Sequence, residues 1–163
     1  TIFYQLKVKN QSRFISIGRL DMDSEGLLLL TNDGDLARKL ELPSTGWLRK
    51  YRVRVHGYVN SKELESLKNG ITIDGIRYGS IDATLDRQQG SNAWVTLGLR
   101  EGKNREIRKV MSHLGYNVNR LIRISFGPFN LKNLPSGELE QVKQRVLNDQ
   151  LGITKSKKQN TIK

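Results

Sequence analysis

The residues of this chain best suited to chemistry lie between Gly18 and Asp35, in GRLDMDSEGLLLLTNDGD, where Asp21 falls on a polar turn between two apolar runs. The run before it is Phe14–Ile17 and the run after it is Leu27–Thr31, and both read as short buried strands. The turn also carries Arg19, Asp23, Ser24, Glu25 and Gly26. A carboxylate held at a strand end can serve as nucleophile or base, because the scaffold fixes its position before a substrate arrives. A cation such as Arg19 beside it would favour the ionised form that a nucleophile needs. On local physics alone, a solvated acidic turn is the commoner meaning of such a segment, since most surface aspartates do no chemistry.

The elements that must hold these residues follow from periodicity. Asp33 is an acidic cap for a short helix through Leu36–Leu40, closed by Pro43–Gly46. Tyr51–Gly57 alternates, with Tyr51, Val53 and Val55 on one face of a strand and Arg52, Arg54 and His56 on the other. Ser61 is expected to cap a helix that stops at Gly70, and Ile71–Tyr78 reads as a hairpin turning at Asp74-Gly75. Ile81–Asp86 and Ala93–Leu99 are further strands, separated by a polar loop over Gln88–Asn92. Ile107, Val110, Met111 and Leu114 follow an i, i+3, i+4, i+7 pattern, which predicts an amphipathic helix from Asn104 to about Leu114 with Gly115 as its stop. Leu121–Phe126 is another strand, and Glu138–Leu147 reads as a last helix.

Composition narrows the classes of partner. With 163 residues, 36% of them apolar, the chain can bury one sizeable core. Its 28 Lys and Arg against 16 Asp and Glu give a formal charge of +12, which favours a polyanion bound through phosphate contacts and counterion release. No apolar run approaches the roughly 18 residues of a membrane span, so a membrane partner is not expected. There is no cysteine, which removes thiolate and disulfide chemistry, and the first residues lack the layout of a signal peptide. These features fit a cytoplasmic protein. His56 and His113 are far apart in sequence, so no zinc site is expected. Gly102-Lys103 lacks the frame of a phosphate-binding loop. Without further information Tyr51 and the tryptophans Trp47 and Trp94 read as packing aromatics, and Arg108 as a surface cation.

Four blocks in order alter that reading. GRLDMDSEGLLLLTNDG, from Gly18, resembles the catalytic motif of the pseudouridine synthases, in the RsuA/RluB-type branch that modifies ribosomal RNA. Lys50–Gly57, KYRVRVHG, resembles the family's K-Y strand. Glu101–Lys109, EGKNREIRK, is similar to the branch's EGKNRQIR segment. Arg120–Ile124 with Gly127-Pro128 and Leu134–Glu138 resembles its C-terminal signature. Together the blocks span roughly residues 1–142. The opening TIFYQL is similar to a T-V-F-D-L-L segment that the family places after a first strand, so the chain is expected to be a catalytic domain lacking that strand and the small N-terminal RNA-binding domain. The turn also departs from relatives in reading Asp23-Ser24-Glu25, although serine keeps a hydroxyl there.

The resemblance implies an α+β fold, with a mixed and mainly antiparallel sheet, flanking helices and a central active-site cleft. It implies a catalytic domain over residues 1–150; the basic tail over 151–163 falls outside it and, being polar and basic with no period, is expected to be disordered. The implied activity is isomerisation of specific uridines in ribosomal RNA, in the large subunit by likeness, to pseudouridine. By residue, Asp21 would be the nucleophile, attacking C1′ or removing the ribose 2′ proton, and Tyr51 would stack on the uracil and assist at C5. Arg108 would pair with the Asp21 carboxylate, and Ile107 would line the pocket. Arg19, Lys50, Lys103, Asn104 and Arg105 would contact the RNA. The extruded base needs a pocket, but the reaction needs no cofactor, metal or redox step. A monomer acting on ribosomal RNA is expected. The competing expectation is a non-catalytic RNA-binding or ribosome-assembly module on the same fold; a DNA-binding protein is disfavoured by the lack of any helix-turn-helix, zinc-finger or zipper pattern.

Overall fold

The computed structural model describes residues 14–42, 45–103, 105–140 and 142. The chain divides into two compact units, one of residues 8–132 and one of residues 1–7 with 133–163. All regular elements described here belong to the first.

Its centre is a sheet built from long strands of alternating character. β4 (Arg49–His56) pairs antiparallel with β8 (Asn92–Leu99) on one side and with β9 (Asn117–Phe126) on the other. β7 (Ile81–Gln89) extends the sheet beyond β8, and β10 (Phe129–Asn130) extends it beyond β9, both antiparallel. A two-residue strand, β2 (Glu25–Gly26), adds to β9 in parallel. Val53, Val55, Ala93, Val95, Leu97 and Leu121 point to one face and are buried there. On the other face Arg52 and Arg54 sit over the ring of Trp94, at 5.2 and 5.9 Å. The period of two therefore separates a core face from a basic one.

Three helices complete the unit. α1 (Gly34–Glu41) begins at Asp33, whose carboxylate accepts from Asp35 and Leu36 N–H at 3.0 and 3.2 Å, and it packs on the small antiparallel pair β1 (Ile15–Ile17) and β3 (Leu29–Thr31). α2 (Ser61–Ser66) and the 3₁₀ turn Leu67–Asn69 bury Leu64 and Leu67 against β7. α3 (Glu106–His113) buries Ile107, Val110 and Met111 in the same core. Between the helices, β5 (Ile71–Ile73) and β6 (Ile76–Tyr78) form the expected hairpin, with Asp74 and Gly75 both at positive φ, as a tight two-residue turn requires.

Several boundaries differ from the sequence reading. Asn60, not Ser61, caps α2, because its side chain accepts the Lys62 N–H at 2.9 Å. The polar stretch expected as a loop over Gln88–Asn92 is mostly strand, since β7 and β8 pair as far as Gln89 opposite Asn92 and leave a tight turn. Of the strand expected over Leu27–Thr31, Leu29–Thr31 is observed as β3, while Leu27 and Leu28 link it to the separate two-residue strand β2. Residues 138–140 and 142 are not helical, and the rest of the expected last helix lies outside the described residues, as does the expected tail.

Candidate active site

The turn that carries Asp21 is fixed from several directions. Ser24 N–H donates to the Asp21 carbonyl at 2.9 Å, which closes the turn and leaves the Asp21 side chain exposed. Gly18 N–H donates to the Glu41 carboxylate at the end of α1, at 2.9 Å. On the far side, Gly26 meets β9 so closely that a Cβ there would lie 2.2 Å from the Arg123 carbonyl oxygen, with φ at +110°. Only glycine allows that approach. Leu27 N–H then donates to the same carbonyl at 2.8 Å.

Arg123 fixes the turn through its side chain as well. It is 2% exposed, its Nε donates to the Leu27 carbonyl at 2.9 Å, and its Nη1 reaches the Arg19 carbonyl at 3.4 Å. A single buried guanidinium thus bridges the chain before Asp21 to the chain after it. It packs over the Phe126 ring, 5.2 Å from its centroid. Burial pulls this guanidinium below its ordinary value, the adjacent Tyr51 oxygen opposes that, and the charge of Arg49 adds to it. Arg123 was visible in sequence only as part of the C-terminal signature. Its signal was a cation set inside the apolar run of β9.

Tyr51 enters the same space from β4. The β4–β9 pairing shifts register between Lys50 and Tyr51, so that Lys50 faces Ser125 while Tyr51 faces Arg123 and Ile124 is left over. A bulge of this kind re-aims the side chains beside it. Tyr51 is half-buried and Lys50 is exposed. The third contribution is the start of α3. Arg105 precedes it with φ at +51° and no side-chain cap, a left-handed turn that non-glycine residues adopt at a cost of about 1–3 kcal/mol.

These segments enclose a cleft of about 580 Å³, lined by Arg19, Asp21, Ser24, Tyr51, Lys103, Arg105, Ile107, Arg108 and Arg123, among others. That volume lies within the usual range for a small-molecule or base-sized pocket. The cleft gathers Asp21, Tyr51, Arg108, Arg19, Lys103, Arg105 and Ile107 of the sequence-predicted set. Lys50 is not among its lining residues, since it alternates away from Tyr51, and Asn104 lies outside the described residues.

The expected pairing of Arg108 with the Asp21 carboxylate is replaced by a different contact. Arg108 Nη2 donates to the Asp23 carbonyl at 2.8 Å, and Arg105 lies 3.5 Å from the Asp23 carboxylate. Among the described residues, Asp21 is in no ion pair, and Arg108 Nε is buried with no partner. From α3 the Arg108 guanidinium thus meets the turn two residues past Asp21, at a backbone carbonyl. Glu106 also lines the cleft, with both carboxylate oxygens buried and without a partner. Arranged in this way, the cleft offers an exposed carboxylate, an aromatic ring, an aliphatic wall and several cations to an anionic ligand.

Comparison with known proteins finds one family along most of the chain. A family model described as RNA pseudouridylate synthase matches residues 1–113. A Rickettsia felis protein named "Uncharacterized RNA pseudouridine synthase" is 47% identical over 147 residues, covering 90% of this chain and 63% of that protein. The ribosomal large subunit pseudouridine synthase B of Buchnera aphidicola is 40% identical over 141 residues, covering 85% of this chain and 55% of its own length. The chain therefore spans 55% to 63% of these two relatives. A crystal structure of a pseudouridylate synthase superposes with a TM-score of 0.79 at 26% identity, covering 92% of this chain and 65% of that one. The expected fold, a mainly antiparallel mixed sheet with flanking helices, is the observed one.

Proposed function

Because this chain belongs to the RNA pseudouridylate synthase family, we propose that it isomerises uridine to pseudouridine in ribosomal RNA, in the large subunit, with Asp21 as the residue that starts the reaction. The observation that carries this reading is the convergence of Asp21, Tyr51, Ile107 and Arg108 on one cleft from three segments distant in sequence. The choice of RNA follows the names of relatives such as the large-subunit enzyme of Buchnera aphidicola. Such a substrate puts the reaction in the cytosol.

The reaction breaks the bond from uracil N1 to ribose C1′, turns the base and joins C5 to C1′; the C5 proton leaves and N1 regains one, so no atom is added or lost overall. The target uridine has to leave its stack to reach Asp21. Tyr51 and Ile107 offer the ring and the aliphatic wall that receive it. Tyr51 also brings a phenol within reach of the base, a usable acid or base when the C5 proton departs.

Arg108 and Arg123 act on Asp21 through the backbone of its turn, at Asp23, Arg19 and Leu27. The unpartnered Nε of Arg108 gives the site a spare donor that can meet the carboxylate or the RNA once substrate closes the cleft. Lys103, Arg105 and Arg19 supply positive charge to the phosphates on either side of the uridine.

The test is to incubate the chain with unmodified large- and small-subunit ribosomal RNA and map pseudouridine by position. Conversion at a discrete large-subunit site is expected. Tight binding with no conversion of either RNA would contradict the reading and favour a non-catalytic RNA-binding module.

A further inference from the structure

Glu106 is the least explained group in the cleft. It is the first residue of α3, it is 3% exposed, and among the described residues neither of its carboxylate oxygens has a hydrogen-bond partner of normal geometry. An ionised carboxylate in that position would be strongly destabilised, because burial removes its hydration and little replaces it. Its neighbour is a second carboxylate, Glu101, which accepts from Gly79 N–H at 2.6 Å and lies 3.5 Å from the Lys103 ammonium. Two ionised carboxylates can exchange no hydrogen bond, whereas one proton between them satisfies an oxygen on each.

We propose that Glu106 and Glu101 share one proton, held on Glu106, and that this acid–carboxylate pair positions the basic segment carrying Lys103 and Arg105 at the mouth of the cleft. Glu106 is thus a positioning residue. Its effect on rate rests on the reaction proposed above, but the shared proton does not.

The surroundings decide which acid keeps the proton. Glu101 is held below the usual carboxylate value: burial opposes ionisation, but the Gly79 N–H, the hydrogen bond from Glu106 and the Lys103 charge outweigh it. Glu106 is pushed up to about 8, first by burial and then by Glu101, with the Lys103 charge and the Lys103 backbone N–H opposing. From β6, Tyr78 presents its ring to the Lys103 ammonium at 5.4 Å, and the Arg77 carbonyl accepts from that ammonium. From β4, Arg49 packs against Gly102. At the start of α3, Arg105 just before the helix and Arg108 on it are directed to Asp23. The Lys103 ammonium is therefore directed to Glu101, Arg77 and Tyr78, and among the described residues Glu106 is in no ion pair. The chain has Glu106 where the EGKNRQIR pattern has glutamine, and a neutral glutamic acid offers the same donor and acceptor ends as glutamine.

Carbon-13 NMR of the glutamate carboxyls, followed with the Gly79 and Lys103 amide signals in the wild-type chain and in E106Q, tests the pair directly. One carboxyl carbon is expected to titrate near pH 8, to be missing from E106Q, and to move both amides with the same midpoint. E101Q should lower that midpoint by about one unit or more, because the neighbouring negative charge is gone. Uridine conversion should fall about tenfold between pH 7 and pH 9 in the wild type, following the protonated fraction, and E106Q should abolish that fall. No carboxyl carbon titrating above pH 6, or one near pH 8 that persists in E106Q, would overturn the shared proton. Amides that ignore the titration, or an alkaline fall that survives in E106Q, would overturn the positioning role. A chain that converts no uridine at any pH would refute the proposed reaction, and the NMR midpoints would still decide the pair.

Discussion

Asp21 projects from a turn whose backbone is gripped by two arginines, Arg108 at Asp23 and Arg123 at Arg19 and Leu27. Displacing a reacting group by about 1 Å can cost roughly 100-fold in rate. R108A is therefore expected to lower kcat by about that factor while RNA affinity changes little, and single-turnover conversion measured beside a filter-binding curve separates the two. Equal losses in affinity and rate would instead make Arg108 a phosphate contact. Sequence made Asp21, Tyr51 and Arg108 visible because a long ordered motif surrounds each. It did not reveal Arg123 or Glu106 as part of the site, since both depend on pairing: one on the β9 residue opposite Tyr51, the other on a carboxylate five residues earlier.

The elements were legible to different degrees for physical reasons. α3 and β4 declared themselves through clean periods of 3.6 and 2, and the Asp74-Gly75 hairpin through its turn chemistry. The extension of β7 through polar residues to Gln89 was hidden, because the pairing of that strand with β8 depends on backbone hydrogen bonds that composition does not report. β2 was hidden for the same reason. Two residues paired in parallel with β9 have no periodicity, yet they seat the Asp21 turn. Gly26→Ala tests that role, since the new Cβ would meet the Arg123 carbonyl at 2.2 Å. We expect G26A to fold with a lower Tm and to lose conversion by at least about 100-fold, as a misplaced catalytic turn would. Wild-type activity in G26A would mean that the β2–β9 contact does not position Asp21.

For the molecule as a whole, a charge of +12 and the cations around the cleft predict RNA binding that weakens steeply with salt. K103A and R105A should each lower the slope of log affinity against log salt by about 0.7–0.9 if the side chain meets a phosphate, and should reduce kcat less than R108A does. Stability should depend on pH through Glu106. Its folded value of about 8 lies above the ordinary 4.5, so the native chain binds this proton more tightly than the unfolded one. The stabilisation is complete below about pH 4.5 and is lost as pH rises through about 8. Thermal melts of the wild type between pH 6 and 9 should therefore decline relative to E106Q, by several degrees at about 2–4 °C per kcal/mol. Parallel curves for the two proteins would contradict this.

The role of Asp21 in starting the isomerisation of uridine is tested by the release of tritium from ribosomal RNA labelled at uracil C5, by the wild-type chain and by D21N. Steady release by the wild type and none above background by D21N is expected, with both proteins folded and binding the RNA alike. Release by D21N at the wild-type rate would contradict it, because the exposed carboxylate of that turn would then have no part in the chemistry.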